Sequence, residues 1–187
     1  MINTNKNIKE AEEEIPNTSQ KVSLRRLKNK AVHYLGRYAS TEKKLTQVLT
    51  KFVKKKWPEV PIDEAGHKIQ ETVKWCREYG FVNDAGYAII KVKSGRSKGY
   101  SAKQIKQRLT LAGISSQKVL AAFSEVEDTS DIEFQAALTM ARKKRIGPYA
   151  LSPVIGHEER TRQMSRLARA GYSYEICKNV FHYSEES

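Results

Sequence analysis

Cysteine is scarce in this chain: among 187 residues only Cys76 and Cys177 carry thiols, and they lie far apart. They form no CxxC, and His33, His67, His157 and His182 stand singly, so no metal-ligand spacing is present and no metal or cofactor is expected. The thiols fit a reducing cytoplasm, and the chain is long enough to bury a core without covalent staples. Apolar runs are short as well. None reaches the roughly 18 residues of a membrane span, and the N-terminus lacks the apolar stretch of a signal peptide. A soluble cytoplasmic protein without membrane contact is expected.

Catalytic patterns are missing too. The stretch SGRSKGYS at 94–101 lacks the spacing of a phosphate-binding loop and follows a helix, not a strand. The acidic pairs Asn83-Asp84 and Asp128/Asp131 stand where helices should start, which makes capping their plainer role. No serine or cysteine pairs with a histidine in a nucleophile motif. The chain does not read as an enzyme.

What is abundant is positive charge: 34 Lys+Arg against 21 Asp+Glu, a net of +13. An excess of this size favours a polyanionic partner. It is unevenly spread, since residues 1–20 carry 2 basic and 4 acidic groups whereas residues 21–60 carry 12 and 2.

Residues 1–20 are polar and without helical period, which predicts a disordered acidic tail. Beyond it the apolar spacing is helical throughout and no strand pattern occurs. Leu24, Leu27, Ala31, Leu35 and Tyr38 form one stripe; Ser40 is the expected cap of a second helix carrying Leu45, Val48, Leu49 and Phe52. Asp63 is the expected cap of a third helix, which Gly80 stops. Asn83 or Asp84 caps the next helix, with Gly95 and Gly99 marking the turn after it. Ser101 caps Ala102 to Ala112, Gly113 stops it, and Ser115 or Ser116 caps a short helix carrying Val119, Leu120 and Phe123. A helix from near Asp131 is expected to end at Gly147-Pro148, followed by one around Glu158 to Ala170 and a last one capped by Ser173.

LTLAGISSQKVLAAF at 109–123 aligns without gaps on LARAGYSYEICKNVF at 167–181, matching leucine, alanine, glycine, serine and phenylalanine in positions with separate structural jobs. The reading is therefore all-α: an elongated array of three three-helix units over residues 21–80, 81–127 and 128–187, about nine helices in all.

The basic residues fall in blocks on the polar faces. Lys91, Lys93, Arg96 and Lys98 lead through Tyr100 into Lys103, Lys106 and Arg108; Arg142, Lys143, Lys144 and Arg145 make a second block, and Arg160, Arg162, Arg166 and Arg169 a third. Lys51 and Lys54 to Lys56 make a fourth. Any single lysine reads most plainly as a solvated side chain. Taken together, blocks with few interleaved acids suit a phosphate backbone, which would release counterions on meeting them. Tyr87, Tyr100, Tyr149, Tyr172 and Tyr174 could stack on bases, although Tyr87 and Tyr172 read as half-buried packing residues.

With these residues in view the sequence resembles the RecX family of recombination regulators. The resemblance runs from about Leu24 to Phe181. It rests on Gly80-Phe81-Val82-Asn83-Asp84, Tyr87-Ala88, the basic run Lys91 to Lys98, Gly99-Tyr100-Ser101, Ile105 to Leu109, and Gly113-Ile114. Arg142 to Tyr149 and Arg169-Ala170-Gly171-Tyr172-Ser173-Tyr174 resemble third-repeat segments of some members. Asn83 replaces the first of two usual aspartates and keeps a cap; Arg108 stands where an acid is common and makes its helix more basic. The resemblance implies binding in the helical groove of the RecA filament on single-stranded DNA; a monomer with weaker affinity for double-stranded DNA is expected. It further implies damping of RecA's ATPase, strand exchange and co-protease functions. The competing reading is a stand-alone DNA-binding protein using a helix-turn-helix such as Ser101 to Phe123.

Overall fold

The computed structural model describes residues 21–126 and 131–183, apart from 153 and 155. The expected acidic tail and Asp128 lie outside the described residues. Among those residues the regular structure is nine α-helices and one 3-10 turn, with no strand. They divide into two compact units: the described residues to Tyr38 with Leu45–Phe81, and Ala39–Lys44 with the described residues from Val82 onward.

In the first unit, α1 (Leu24–Leu35) packs along α3 (Ile62–Glu78), with α2 (Glu42–Lys56) supplying Leu45, Leu49 and Val53. Leu27 and Ala31 of α1 and Ile69, Val73 and Cys76 of α3 are buried, as three- and four-residue spacing requires. Tyr38 does not join the stripe. The helix ends at Leu35, so the periodicity lapses and the ring is 58% exposed. Asp63 is not a cap either, because α3 begins one residue earlier, after Pro61. Gly80 closes α3 at φ +71°, with the Phe81 amide donating back to the Cys76 carbonyl.

The second unit begins at Ala39, ahead of α2. Thr41, not Ser40, holds the first turn of α2: the Lys44 amide donates to Thr41 Oγ1 at 3.2 Å. After Asn83, whose Oδ1 accepts from the Gly86 amide, α4 runs Asp84–Ser97 straight through Gly95. Gly95 is no stop. A Cβ there would lie 2.7 Å from the Ile105 side chain, so this glycine lets α5 (Ala102–Leu111) approach closely. The turn falls at Gly99, whose φ is +78°.

Ser115 Oγ accepts from the Lys118 amide at the start of α6 (Ser116–Val126), where Val119 and Phe123 are buried. Leu120, expected inward, is 62% exposed, because Ala122 takes the inner position. Next comes α7 (Ile132–Lys144), which stops before Gly147-Pro148: Arg145 is left-handed at φ 54° and the Ile146 amide donates to the Ala141 carbonyl. Gly147–Tyr149 forms the 3-10 turn, and α8 (His157–Arg169) and α9 (Tyr174–His182) complete the unit.

Within the second unit the described residues form two hydrophobic clusters. One gathers Ala88, Val92, Ile105, Leu109, Val119 and Phe123 from α4 to α6. The other gathers Ala137, Leu138, Ala141, Leu167, Cys177 and Val180 from α7 to α9. The segments aligned by sequence share their geometry: Leu109 and Leu167 are both buried, Gly113 and Gly171 take φ +89° and +94°, and Ser115 and Ser173 accept from the next helix's first turn.

Candidate nucleic-acid and partner interface

Because Gly95 admits Ile105, α4 and α5 lie close at that end, and their polar flanks enclose a cleft of about 260 Å³. Lys91, Lys98, Tyr87, Tyr100 and Arg108 line it. The Arg108 guanidinium stands 4.0 Å from the centre of the Tyr100 ring, and Lys91 Nζ stands 5.1 Å from that of Tyr87. A hydrogen bond from Arg108 and its positive charge hold the Tyr100 hydroxyl below its ordinary pKa, with Lys98 and Lys143 adding to the effect. Lys143 reaches over from α7 and donates to the Lys98 carbonyl at 3.3 Å. Five residues of two expected basic blocks therefore meet in one place: Lys91, Lys98, Tyr100, Arg108 and Lys143.

The other flank of α5 borders a broader groove of about 800 Å³, where Lys103, Lys106 and Gln107 face Gly171 and Ser173. Lys103 and Lys106 are exposed, and Lys106 Nζ lies 5.1 Å from the Phe123 ring centre. A single basic helix thus presents cations to two depressions. Lys93 is exposed on α4 and is not among the cleft's lining residues.

Other expected residues are placed differently. Arg96 is 8% exposed; it forms an ion pair with Glu133, donates to the Tyr100 carbonyl at 3.2 Å and lies over the Phe123 ring. It braces the turn and is not part of an exposed basic face. Arg162 is exposed, but Glu159 at 3.3 Å and Glu158 at 4.0 Å offset its charge, so its block is partly a salt-bridged helix surface. Arg166 caps α7 by donating to the Lys144 carbonyl, and Arg169 donates to the Ser165 carbonyl. Arg142 lies 5.0 Å from the Tyr149 ring centre, while Lys144 and Arg145 are exposed.

The turns that carry these residues are locked by an arrangement that occurs twice. Ser101 Oγ accepts from the Gln104 amide and donates to the Ala170 carbonyl; the Ala102 amide donates to Glu133. In the same way Thr41 Oγ1 accepts from the Lys44 amide and donates to the Ala112 carbonyl, and the Glu42 amide donates to Asp84. Sequence reading missed this role of Thr41. Its signal was the recurrence of a hydroxyl residue two positions before a lysine, Lys43 or Lys103, that packs on the helix-stop glycine Gly113 or Gly171.

Also missed was a cluster of Trp75, Tyr79 and Phe81 in the first unit, with ring centres 5.1 and 5.4 Å from that of Trp75. The i, i+4 spacing and the glycine before Phe81 were its signals. Among the described residues no three His, Cys, Asp or Glu side chains are grouped so as to hold a metal ion, and no helix is long and apolar enough to cross a membrane. Cys76 and Cys177 are buried free thiols.

No protein-family model matches the chain. Among characterised proteins, Regulatory protein RecX of Myxococcus xanthus is 38% identical, covering 88% of this chain and 89% of that protein. The Regulatory protein RecX of Agrobacterium fabrum is 28% identical, covering 90% and 88%. A crystal structure of RecX from Lactobacillus salivarius superposes with a TM-score of 0.64 at 20% identity, covering 85% of this chain and 94% of that one. A second RecX crystal structure gives 0.65 at 18%, covering 86% and 72%; at such identities these two speak for the all-α fold. Given the identity to the Myxococcus protein over nearly the whole of both chains, and the shared fold, this chain belongs to the RecX family of regulatory proteins.

Proposed function

We propose that the protein binds RecA filaments on single-stranded DNA and inhibits RecA's ATPase, strand exchange and co-protease activities, as a monomer in the cytoplasm and without catalysis of its own. The observation that carries the reading is the convergence of Lys91, Lys98, Arg108 and Lys143 around Tyr100, beside Lys103 and Lys106 on the same helix. Such a surface can hold a phosphate backbone while neighbouring contacts engage protein, and several weak contacts add through effective concentration. Three three-helix units, divided near residues 80 and 127, would supply those contacts; the recurring Thr41 and Ser101 locks support that division.

The helix-turn-helix reading has less support. Its second helix, α6, holds one cation, Lys118, which sits within 4.0 Å of Glu42 and 3.8 Å of Asp84. A groove-reading helix needs side chains available to bases and phosphates.

The test is a titration of the protein into RecA filaments hydrolysing ATP on single-stranded DNA, beside a variant with Lys103, Lys106 and Arg108 reversed to glutamate. Loss of turnover with the wild type and weakened inhibition by a helical, folded variant are expected. Full inhibition by the variant would place the contact on another face.

A further inference from the structure

The first unit carries an aromatic and cationic surface that the proposed function does not use. Residues 21–38 hold six basic side chains and no acidic one. In α1, Arg25 and Lys28 line a groove of about 360 Å³ with Leu24, Asn29, Val32 and Trp75. Lys28 Nζ stands 4.9 Å from the Trp75 ring centre. Beyond the groove, Trp75 is flanked by Tyr79 and Phe81, tilted 39° and 34° to it.

Local structure fixes these rings. Tyr79 lies one turn after Trp75, and Gly80 in its left-handed conformation folds Phe81 back onto the helix end, so the Phe81–Trp75 contact is the apolar pairing that accompanies such a cap. Capping alone would be served by a buried contact. Instead Tyr79 is 68% and Phe81 45% exposed, a costly display of aromatic area unless something covers it.

The charge around them selects the occupant. The groove residues include two cations and no acid, and Glu78 on α3 is engaged by Lys74 at 3.8 Å. Aromatic faces beside cations suit unpaired bases and their phosphates, because every base has a π-face whereas a duplex keeps its faces stacked internally. We propose that Trp75, Tyr79 and Phe81, with Arg25 and Lys28, form a base-stacking site for single-stranded nucleic acid. The inference rests on the reading of this protein as one that works on single-stranded DNA, and adds a second contact on the first unit.

The chain has two tryptophans, and Trp57 is buried, so Trp57→Phe leaves Trp75 as the sole reporter. The full-length variant is titrated with a labelled oligothymidylate and with an abasic oligomer of equal phosphate count, without RecA. Quenching of Trp75 by oligothymidylate, with little by the abasic oligomer, is expected. In the otherwise wild-type chain, Tyr79→Ala should weaken oligothymidylate binding about tenfold while leaving abasic binding unchanged. This second measurement decides the matter if Trp57→Phe does not fold. The proposal is overturned if oligothymidylate binds without altering Trp75 emission, if the abasic oligomer quenches equally, or if neither oligomer binds. Quenching by RecA alone, with no oligonucleotide effect, would assign the surface to a protein partner. None of these outcomes bears on RecA inhibition, which the ATPase titration decides separately.

Discussion

Ser101 Oγ donates to the carbonyl of Ala170 at 2.5 Å across 69 residues of chain while accepting from the Gln104 amide. One hydroxyl therefore starts α5 and ties it to the end of α8. Ser101→Ala removes the cap and leaves a buried carbonyl without that donor, and should destabilise the protein by about 2 kcal/mol. Thr41→Ala, at the equivalent lock, should cost a similar amount. Urea unfolding followed by circular dichroism measures both, and a change under about 0.5 kcal/mol in either would mean the lock is incidental.

Glycines with the same conformation should differ in their tolerance. Gly80 has φ +71° and open space where a methyl group would stand, so Gly80→Ala should cost only about 1 kcal/mol of backbone strain. Gly99 has φ +78°, and a Cβ there would lie 2.7 Å from the Met140 amide nitrogen and 3.0 Å from the Ala136 oxygen, both backbone atoms that cannot turn aside. Gly99→Ala should cost about 3 kcal/mol or more. Equal losses in thermal or urea unfolding would contradict the packing at this turn.

Arg96 and Glu133 form a pair shielded by Phe123 and tied to the Tyr100 carbonyl and Ala102 amide. Removing either partner strands the other in a poorly hydrated place, so Arg96→Ala should destabilise by about 3 kcal/mol. The effect should register in urea unfolding, whereas Lys93→Ala, at an exposed position, should leave the midpoint unchanged.

These cases show how far the letters reach. Asn83, Ser101 and Ser173 are legible as caps because capping is decided within four residues, and Gly80 and Gly113 as stops for the same reason. Gly95 looks identical to Gly99 in sequence, yet the helix runs through it, and its role is to admit Ile105, ten residues on. Arg96 looks like its basic neighbours until Glu133 arrives from another helix. The cleft residues Lys91, Lys98, Tyr100 and Arg108 were readable as a basic stretch, whereas the approach of Lys143 from α7 required the fold.

Stability should fall in alkali. Burial pushes the thiols of Cys76 and Cys177 and the phenol of Tyr172 above their ordinary pKa values, so the native state holds protons that the unfolded chain releases. The contribution is intact below the unfolded-state pKa and is lost as pH rises above about 9. Tyr172→Phe should be less stable at neutral pH, because its hydrogen bond to the Gly99 carbonyl at 3.0 Å is gone, but should lose less stability above about pH 10. Parallel pH–stability curves would contradict this.

DNA contact in the α4–α5 cleft should show in the salt dependence. Arg108→Gln should weaken single-stranded DNA binding across sequences and lower the slope of log affinity against log salt by about 0.7 if one phosphate contact is lost. Fluorescence anisotropy at several salt concentrations gives the slope, and an unchanged slope would exclude Arg108 as a phosphate ligand.

The most direct test of the account is RecA's ATP turnover on single-stranded DNA as this protein is added. Turnover should fall progressively at substoichiometric to near-stoichiometric amounts of the protein over RecA, and turnover unchanged across that range would contradict the assignment as an inhibitor of the RecA filament.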